Sequence, residues 1–180
     1  MPKKFSIEEV NRMDAEEFIS RFGSLFEHSP WVAKGAWQER PFDDLDGLHG
    51  AFVDTVHRAT MEGRVALIRA HPDLAGKAAL AGELTSESAS EQASAGLDRL
   101  SPEEYAEFHH LNTAYREKFG LPYVVCVRDH TKETIFAGAR RRLANSRREE
   151  IEAALGEIAR ISRRRLEDLV GEPANGGDAS

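Results

Sequence analysis

Three places along the chain carry residues whose type and setting could do acid–base or anion chemistry. The first is His71, which follows the apolar run Val65, Ala66, Leu67, Ile68 and precedes Pro72. A residue before proline is pushed out of the α region, so a helix should end there. The imidazole then sits at a helix C-terminus, where the dipole favours its protonated form. A pKa near neutrality on a fixed corner suits a general acid or base. A histidine so placed can also do no more than satisfy a terminal carbonyl.

The second place is Ser88, Ala89, Ser90, Glu91 and Gln92. The spacing reads as a capping box, with Ser88 as the cap and Glu91 returning the bond. The same helix N-terminus offers free N–H groups, and Glu91 and Gln92 could hold the ureido or amide groups of a ligand. The two uses compete, because a Glu91 bonded to the cap cannot also hold a substrate.

The third place is the arginine-rich stretch near residue 165. With Ile151 at 0° and steps of about 100°, Leu155, Ile158, Ser162, Leu166 and Leu169 fall within roughly 60° of one direction. Arg160, Arg163 and Arg164 point away, at roughly 120° or more, whereas Arg165 lands about 40° off the stripe centre. A guanidinium facing the apolar side needs an acidic partner or an anionic ligand. A structural ion pair with a core-facing glutamate would satisfy it equally. The other arginines, including Arg140, Arg141, Arg142, Arg147 and Arg148, read as a solvated face pairing with neighbouring glutamates.

Other chemistries find little support. None of the seven histidines forms an H-E-x-x-H pair, and a metal site is not expected. His57 points away from its apolar stripe, His109 and His110 fall at or outside the edge of theirs, and His28, His49 and His130 read as loop or flanking residues. Cys126 lies in an apolar run that nothing nearby activates, so it reads as an inert core residue. No Gly-rich phosphate loop, G-x-S-x-G elbow or kinase signature is present.

The elements that must position these residues are helical. Ser6, Asp14, Ser101 and Ser146 each stand three residues before a glutamate, and Ser29 precedes Pro30; all read as helix starts. Phe18, Phe22, Leu25 and Phe26 share a helical period, as do Leu45, Leu48, Phe52 and Val56, and then Tyr105, Phe108, Asn112, Tyr115 and Phe119. Gly120 and Pro122 stop that last helix. Residues 123–127 have strand character but are too few to build a sheet, and read as an extended, buried segment. The expectation is a single all-α domain of about eight helices over residues 1–170, with a flexible tail at 171–180.

At 180 residues the chain is long enough to bury a core without disulfides or metal. A net charge of −7 argues against nucleic acid as a partner, which needs a basic footprint. No stretch approaches the ~20 apolar residues of a membrane span, and the N-terminus has no secretory apolar region. A lone cysteine suggests a reducing compartment. From the residues alone, a non-catalytic helical interaction module fits as well as an enzyme: Arg165 would sit in an ion pair and Ser88 and Glu91 would form a cap.

The order of the motifs adds a resemblance. His71-Pro72-Asp73-Leu74-Ala75-Gly76 is followed by Leu84-Thr85 and by Ser88, Glu91 and Gln92. Then come Asn112 and Tyr115, Phe119-Gly120 and Pro122-Tyr123-Val124, and finally Glu157-Ile158, Ile161 and Arg165-Leu166. Together with Trp37 and Arg40-Pro41-Phe42, this resembles the OHCU decarboxylases over most of the chain. OHCU is 2-oxo-4-hydroxy-4-carboxy-5-ureidoimidazoline, an intermediate of urate degradation.

The resemblance implies an all-helical, cofactor-free carboxy-lyase, usually a homodimer, that converts OHCU to (S)-allantoin. It implies His71 as catalytic acid/base, Glu91 as its carboxylate partner and Arg165 as the cationic contact to substrate. Pro72, Ser88, Ala89, Ser90, Gln92 and the backbone of Tyr123, Val124, Val125, Cys126 and Val127 match substrate-binding segments. Tyr123 stands where the family usually has Phe. The final motif reads Arg164-Arg165-Leu166 where Leu-Arg-Leu is usual. Lacking the peroxisomal tripeptide of many eukaryotic members, the chain is expected in the cytoplasm.

Overall fold

The computed structural model describes residues 3–171, except for the side chains of residues 77 and 78. The helices are α1 (Ile7–Arg12), α2 (Ala15–Phe22), α3 (Trp31–Trp37), α4 (Leu45–Arg58), α5 (Met61–Arg69), α6 (Lys77–Leu80), α7 (Ser86–Ser94), α8 (Pro102–Phe119), α9 (Lys132–Arg142) and α10 (Arg147–Leu169). Single 3-10 turns lie at Gly23–Leu25 and Val127–Asp129. The described residues hold no sheet; Phe5 and Val170 form an isolated parallel bridge that ties the N-terminal segment to the end of α10. This is the expected all-α domain, cut into more pieces than about eight because the first 40 residues are short helices and α6 is a single turn. The expected tail lies outside the described residues from 172 onward; Gly171 still donates its N–H to the Phe5 carbonyl at 3.1 Å. No described helix is long and apolar enough to cross a membrane.

Local chemistry starts most helices where it should. Ser6, Ser101 and Ser146 form reciprocal capping boxes with Glu9, Glu104 and Glu149, and Asp14 caps α2 from its side chain. Each satisfies backbone donors that a helix start leaves free. Ser29 does not cap α3: its hydroxyl donates to the Glu27 carbonyl, and helical geometry begins one residue later than Pro30 at N1 would require. α8 ends at Gly120 with φ of 67°, a left-handed exit open to glycine without a Cβ clash.

α10 packs against α4, α5 and α8 and against the turn at Gly23–Leu25. Its buried face holds Ile151, Ile158, Ser162, Arg165 and Leu166, while Arg160 and Arg164 are exposed and Arg163 is half-buried, as the helical angles require. One core cluster gathers Phe18, Phe22, Phe26, Phe42 and Phe52, whose rings lie 4.9–6.3 Å apart in successive contacts. The expected single helix through Phe26 is interrupted, because α2 stops at Phe22 and the chain turns. Elsewhere in the same core Phe108 packs on Phe136, and Tyr115 on Phe119 and Tyr123. Residues 123–126 run extended and buried into the 3-10 turn that starts at Val127, itself buried, and α7 packs against that turn.

Arg142 corrects one expectation. It is buried rather than on a solvated face, donating to Glu150 at 2.9 Å and to the Val124 carbonyl at 2.6 Å. Tyr115 also donates to Glu150, and Asn145 does so at 2.8 Å. Arg140 and Arg148 do pair at the surface, with Glu107 and Glu152.

Candidate active site

The cleft that draws the sequence motifs together is narrow, with about 30 Å³ of free space. His71 and Pro72 enter it from the end of α5, Ser88, Glu91 and Gln92 from α7, and Arg165 from α10. Tyr123, Val124, Val125 and Val127 of the extended segment supply an apolar wall, completed by Leu74 and Ile161. Three expected residues do not line it. Ala89 faces an apolar groove with Leu80 and Leu84, and Ser90 a neighbouring outer cleft with Arg128 and Asp168. Cys126 is buried behind the segment; its N–H donates to Glu157 at 3.1 Å, and burial foremost pushes its thiol up to about 12.

His71 is buried, and its Nδ1 lies 3.0 Å from the Leu67 carbonyl. A carbonyl only accepts, so Nδ1 carries the hydrogen and Nε2 is left with its lone pair. Burial pushes the imidazole down to about 4, although the Leu67 carbonyl and the Glu27 carboxylate pull the other way and Arg165 adds to the fall. The expectation that the helix end would favour protonation is therefore overturned: loss of water outweighs the dipole. At neutral pH the site holds a neutral imidazole presenting a base.

The loop after His71 is tightly held. Ala75 has a φ of 50°, in the left-handed region. A Cβ at Gly76 would come within 2.8 Å of the Asp73 Cβ, so glycine is required there. Gln92 accepts the Ala75 N–H at 3.0 Å, and Asn112 of α8 donates to the Leu74 carbonyl at 3.0 Å. Because its oxygen is taken, Gln92 offers the cleft an N–H donor.

The cap of α7 sits one turn earlier than the Ser88 spacing suggests. Thr85 accepts the Ser88 N–H at 3.2 Å and is the N-cap. Ser88 is inside the helix, and Glu91 is released from capping. Both Glu91 oxygens turn to Arg165: Nε donates to Oε1 at 2.6 Å and Nη2 to Oε2 at 3.2 Å. Glu91 thus reaches Arg165 and not His71, whose ring is oriented by Leu67.

Arg165 has a second carboxylate, Glu27, where the sequence asked only for an acidic partner or an anionic ligand. Glu27 is 2% exposed and accepts from Arg165 Nη2 at 2.8 Å, from Thr85 at 3.1 Å and from Ser88. Arg165 Nη1 donates to the Ser24 carbonyl at 3.2 Å. Burial pushes the Glu27 carboxyl up, but hydrogen bonds from Ser88 and Arg165 and the guanidinium charge more than offset it and hold it low. The same pairings, with Glu91 foremost, raise the Arg165 pKa against its own burial.

None of the remaining histidines lines the cleft. His49 lies inside α4 rather than flanking it, where its Nε2 is 3.0 Å from the Ala159 carbonyl and 3.1 Å from Ser162 Oγ. No group of three His, Cys, Asp or Glu among the described residues is placed to hold a metal ion. The cleft's polar groups are a neutral base, an acceptor hydroxyl, an amide donor and a guanidinium already paired with the Glu91 carboxylate, a set that suits a small, polar ligand.

Comparison with known proteins agrees. The family model described as OHCU decarboxylase matches residues 11–167. A 2-oxo-4-hydroxy-4-carboxy-5-ureidoimidazoline decarboxylase of Halalkalicoccus jeotgali is 43% identical, with 92% of each chain covered. One of Mus musculus is 41% identical, covering 90% of this chain and 91% of its own. Among solved folds, a crystal structure of (S)-allantoin synthase superposes with a TM-score of 0.74 at 24% identity, covering 92% of this chain and 54% of that one. A crystal structure of OHCU decarboxylase in the presence of (S)-allantoin gives 0.65 at 20% identity, covering 87% and 98%. The chain belongs to the OHCU decarboxylase family.

Proposed function

We propose that this protein decarboxylates OHCU to (S)-allantoin, with His71 as the acid/base and Arg165 as the cation that meets the substrate's negative charge. The observation that carries this reading is one cleft built from three separated stretches, in which a neutral His71 stands with Glu91 and Arg165. Loss of CO2 breaks the bond from the quaternary ring carbon. The electron pair moves into a new C=C bond, and the pair of the adjacent C=N withdraws onto nitrogen, which takes a proton from solvent. The ring itself is the electron sink, so the chemistry asks for no added cofactor. Removal of the 4-hydroxyl proton then restores the carbonyl, and a proton is delivered to the carbon bearing the ureido group. The free Nε2 of His71 suits both transfers, and delivery from one fixed side yields one enantiomer. Arg165, out of water, stabilises charge that develops during the reaction.

On this reading Ser88 accepts from a ureido N–H and Gln92 donates to the ureido C=O, while Pro72 with Tyr123, Val124, Val125 and Val127 meets the ring. The protein works as a homodimer, as its resemblance implies. The test is circular dichroism of urate supplied with urate oxidase and hydroxyisourate hydrolase, with and without the protein. OHCU decays unaided to racemic allantoin, so the sign of the signal decides. Growth of an (S)-allantoin signal is expected; an unchanged racemic course would overturn the assignment.

A further inference from the structure

We propose that Glu27 is a positioning residue of the site, the fixed anchor of Arg165 and Ser88, whereas Glu91 is the partner that a ligand displaces. The inference rests on the decarboxylase reading. Its basis is that one guanidinium is held by two carboxylates in different settings. The Glu91 side chain lines the cleft and is 13% exposed, but that of Glu27 is 1% exposed and lies behind Ser88 and Arg165, off the cleft wall. A substrate carboxylate entering the cleft can compete with Glu91 for Arg165 Nε and Nη2; it cannot reach Glu27. If Glu91 were the sole counter-ion, the guanidinium would lose its fix at the moment of binding. With Glu27 on Nη2 at 2.8 Å and the Ser24 carbonyl on Nη1 at 3.2 Å, it keeps its place.

Glu27 also settles the polarity of Ser88. A carboxylate only accepts, so the Ser88 hydroxyl spends its hydrogen on Glu27. Arg165 Nη2 approaches one Ser88 lone pair at 3.3 Å. What remains for a ligand is an acceptor, which selects an N–H and rejects a carbonyl oxygen. Thr85 completes the arrangement: it donates to Glu27 while accepting the Ser88 N–H, so one carboxylate ties the turn at 26–29 to the first turn of α7. Every donor Glu27 takes thus belongs to a group that lines the cleft or to the cap that holds such a group.

The experiment measures kcat, KM and melting temperature for Glu27→Gln and Glu27→Asp beside the parent, in the same (S)-allantoin assay. Glu27→Gln is expected to keep the parental circular dichroism in the far ultraviolet and to lose about a hundredfold in kcat, the scale of a displaced catalytic contact. KM is expected to change by less than about tenfold, since Gln92 and the apolar wall remain. Glu27→Asp keeps the charge one methylene short, and is expected to recover about tenfold of the lost kcat while staying roughly tenfold below the parent. A Glu27→Gln protein with a lowered melting temperature but kcat within about threefold of the parent would make Glu27 an ordinary ion-pair partner and overturn the inference. Should Glu27→Gln not fold, Glu27→Asp decides alone: parental kcat overturns the inference, and lowered kcat with little change in KM supports it. A parent that makes no (S)-allantoin would instead remove the decarboxylase reading itself.

Discussion

Two buried arginines, Arg142 and Arg165, make the most instructive pair in the molecule. Each is nearly excluded from water and each meets a glutamate that is more buried still or comparably buried. Around Arg142 one cation meets one carboxylate, Glu150, whose oxygens are filled by Arg142, Tyr115 and Asn145, with the Val124 carbonyl taking the remaining fork. It lines none of the cleft and nothing is left over. Around Arg165 two carboxylates share one cation at the edge of a cleft, with a neutral His71 and a hydroxyl offering an acceptor. A closed, balanced network serves rigidity; an unbalanced one beside a cleft keeps groups in reserve for a ligand. The two are connected, since Arg142 grips the carbonyl of Val124 from behind the wall that the site uses.

The contrast can be broken at either end. The largest effect is expected at the open site: His71→Asn should fold normally and lose roughly 10²–10⁴-fold in kcat, the usual worth of a positioned acid/base, measured by the growth of the (S)-allantoin signal. Next comes Arg142→Met, which strands Glu150 without its cation and should cost about 3–5 kcal/mol in urea unfolding. Its kcat loss in the folded fraction should be smaller than that of His71→Asn.

A third test uses pH. His71 has its folded pKa depressed to about 4 from an ordinary 6.5. Between those values the unfolded chain binds the extra proton, so stability is full above about pH 6.5 and falls as pH drops toward 4, by at most about 3 kcal/mol. Melts of the parent and His71→Asn across that window should diverge, the variant losing this part of the slope. The smallest effect is expected for Tyr115→Phe. It removes one of several donors to Glu150 and should cost about 1–2 kcal/mol in the same unfolding experiment.

How much of this was legible in the sequence depended on whether the deciding force was local. Helical angles alone picked Arg165 out of its run of arginines, because α10 is long and regular and its apolar stripe is clear. The caps at Ser6, Asp14, Ser101 and Ser146 were legible for the same reason: donor and acceptor lie three residues apart. Ser88 was misread because Thr85 and Ser88 are both competent caps, and the choice between them is made by Glu27, 61 residues away from Ser88 along the chain. Glu27 itself gave no local signal. The period of Phe18, Phe22, Leu25 and Phe26 suggested a continuous helix, whereas α2 stops at Phe22 and the chain reverses at His28, whose φ is 48°. Arg142 looked like its neighbours because three consecutive arginines span more than half the turn of a helix, and only tertiary packing says which faces in. The protonation of His71 was likewise decided by burial that no local pattern encodes.

The measurement that bears most directly on the difference between the two networks compares Glu91→Gln with Glu150→Gln, recording kcat, KM and melting temperature for both. Each substitution removes a carboxylate charge from a buried arginine with almost no change in volume. Glu91→Gln should keep a near-parental melting temperature and shift kcat/KM by about tenfold or more, because the pairing that the substrate displaces at Arg165 is gone. Glu150→Gln should lose several degrees of melting temperature and stay within about tenfold of the parental kcat. The reverse partition, a destabilised but fully active Glu91→Gln beside a stable but inactive Glu150→Gln, would contradict the assignment of the site.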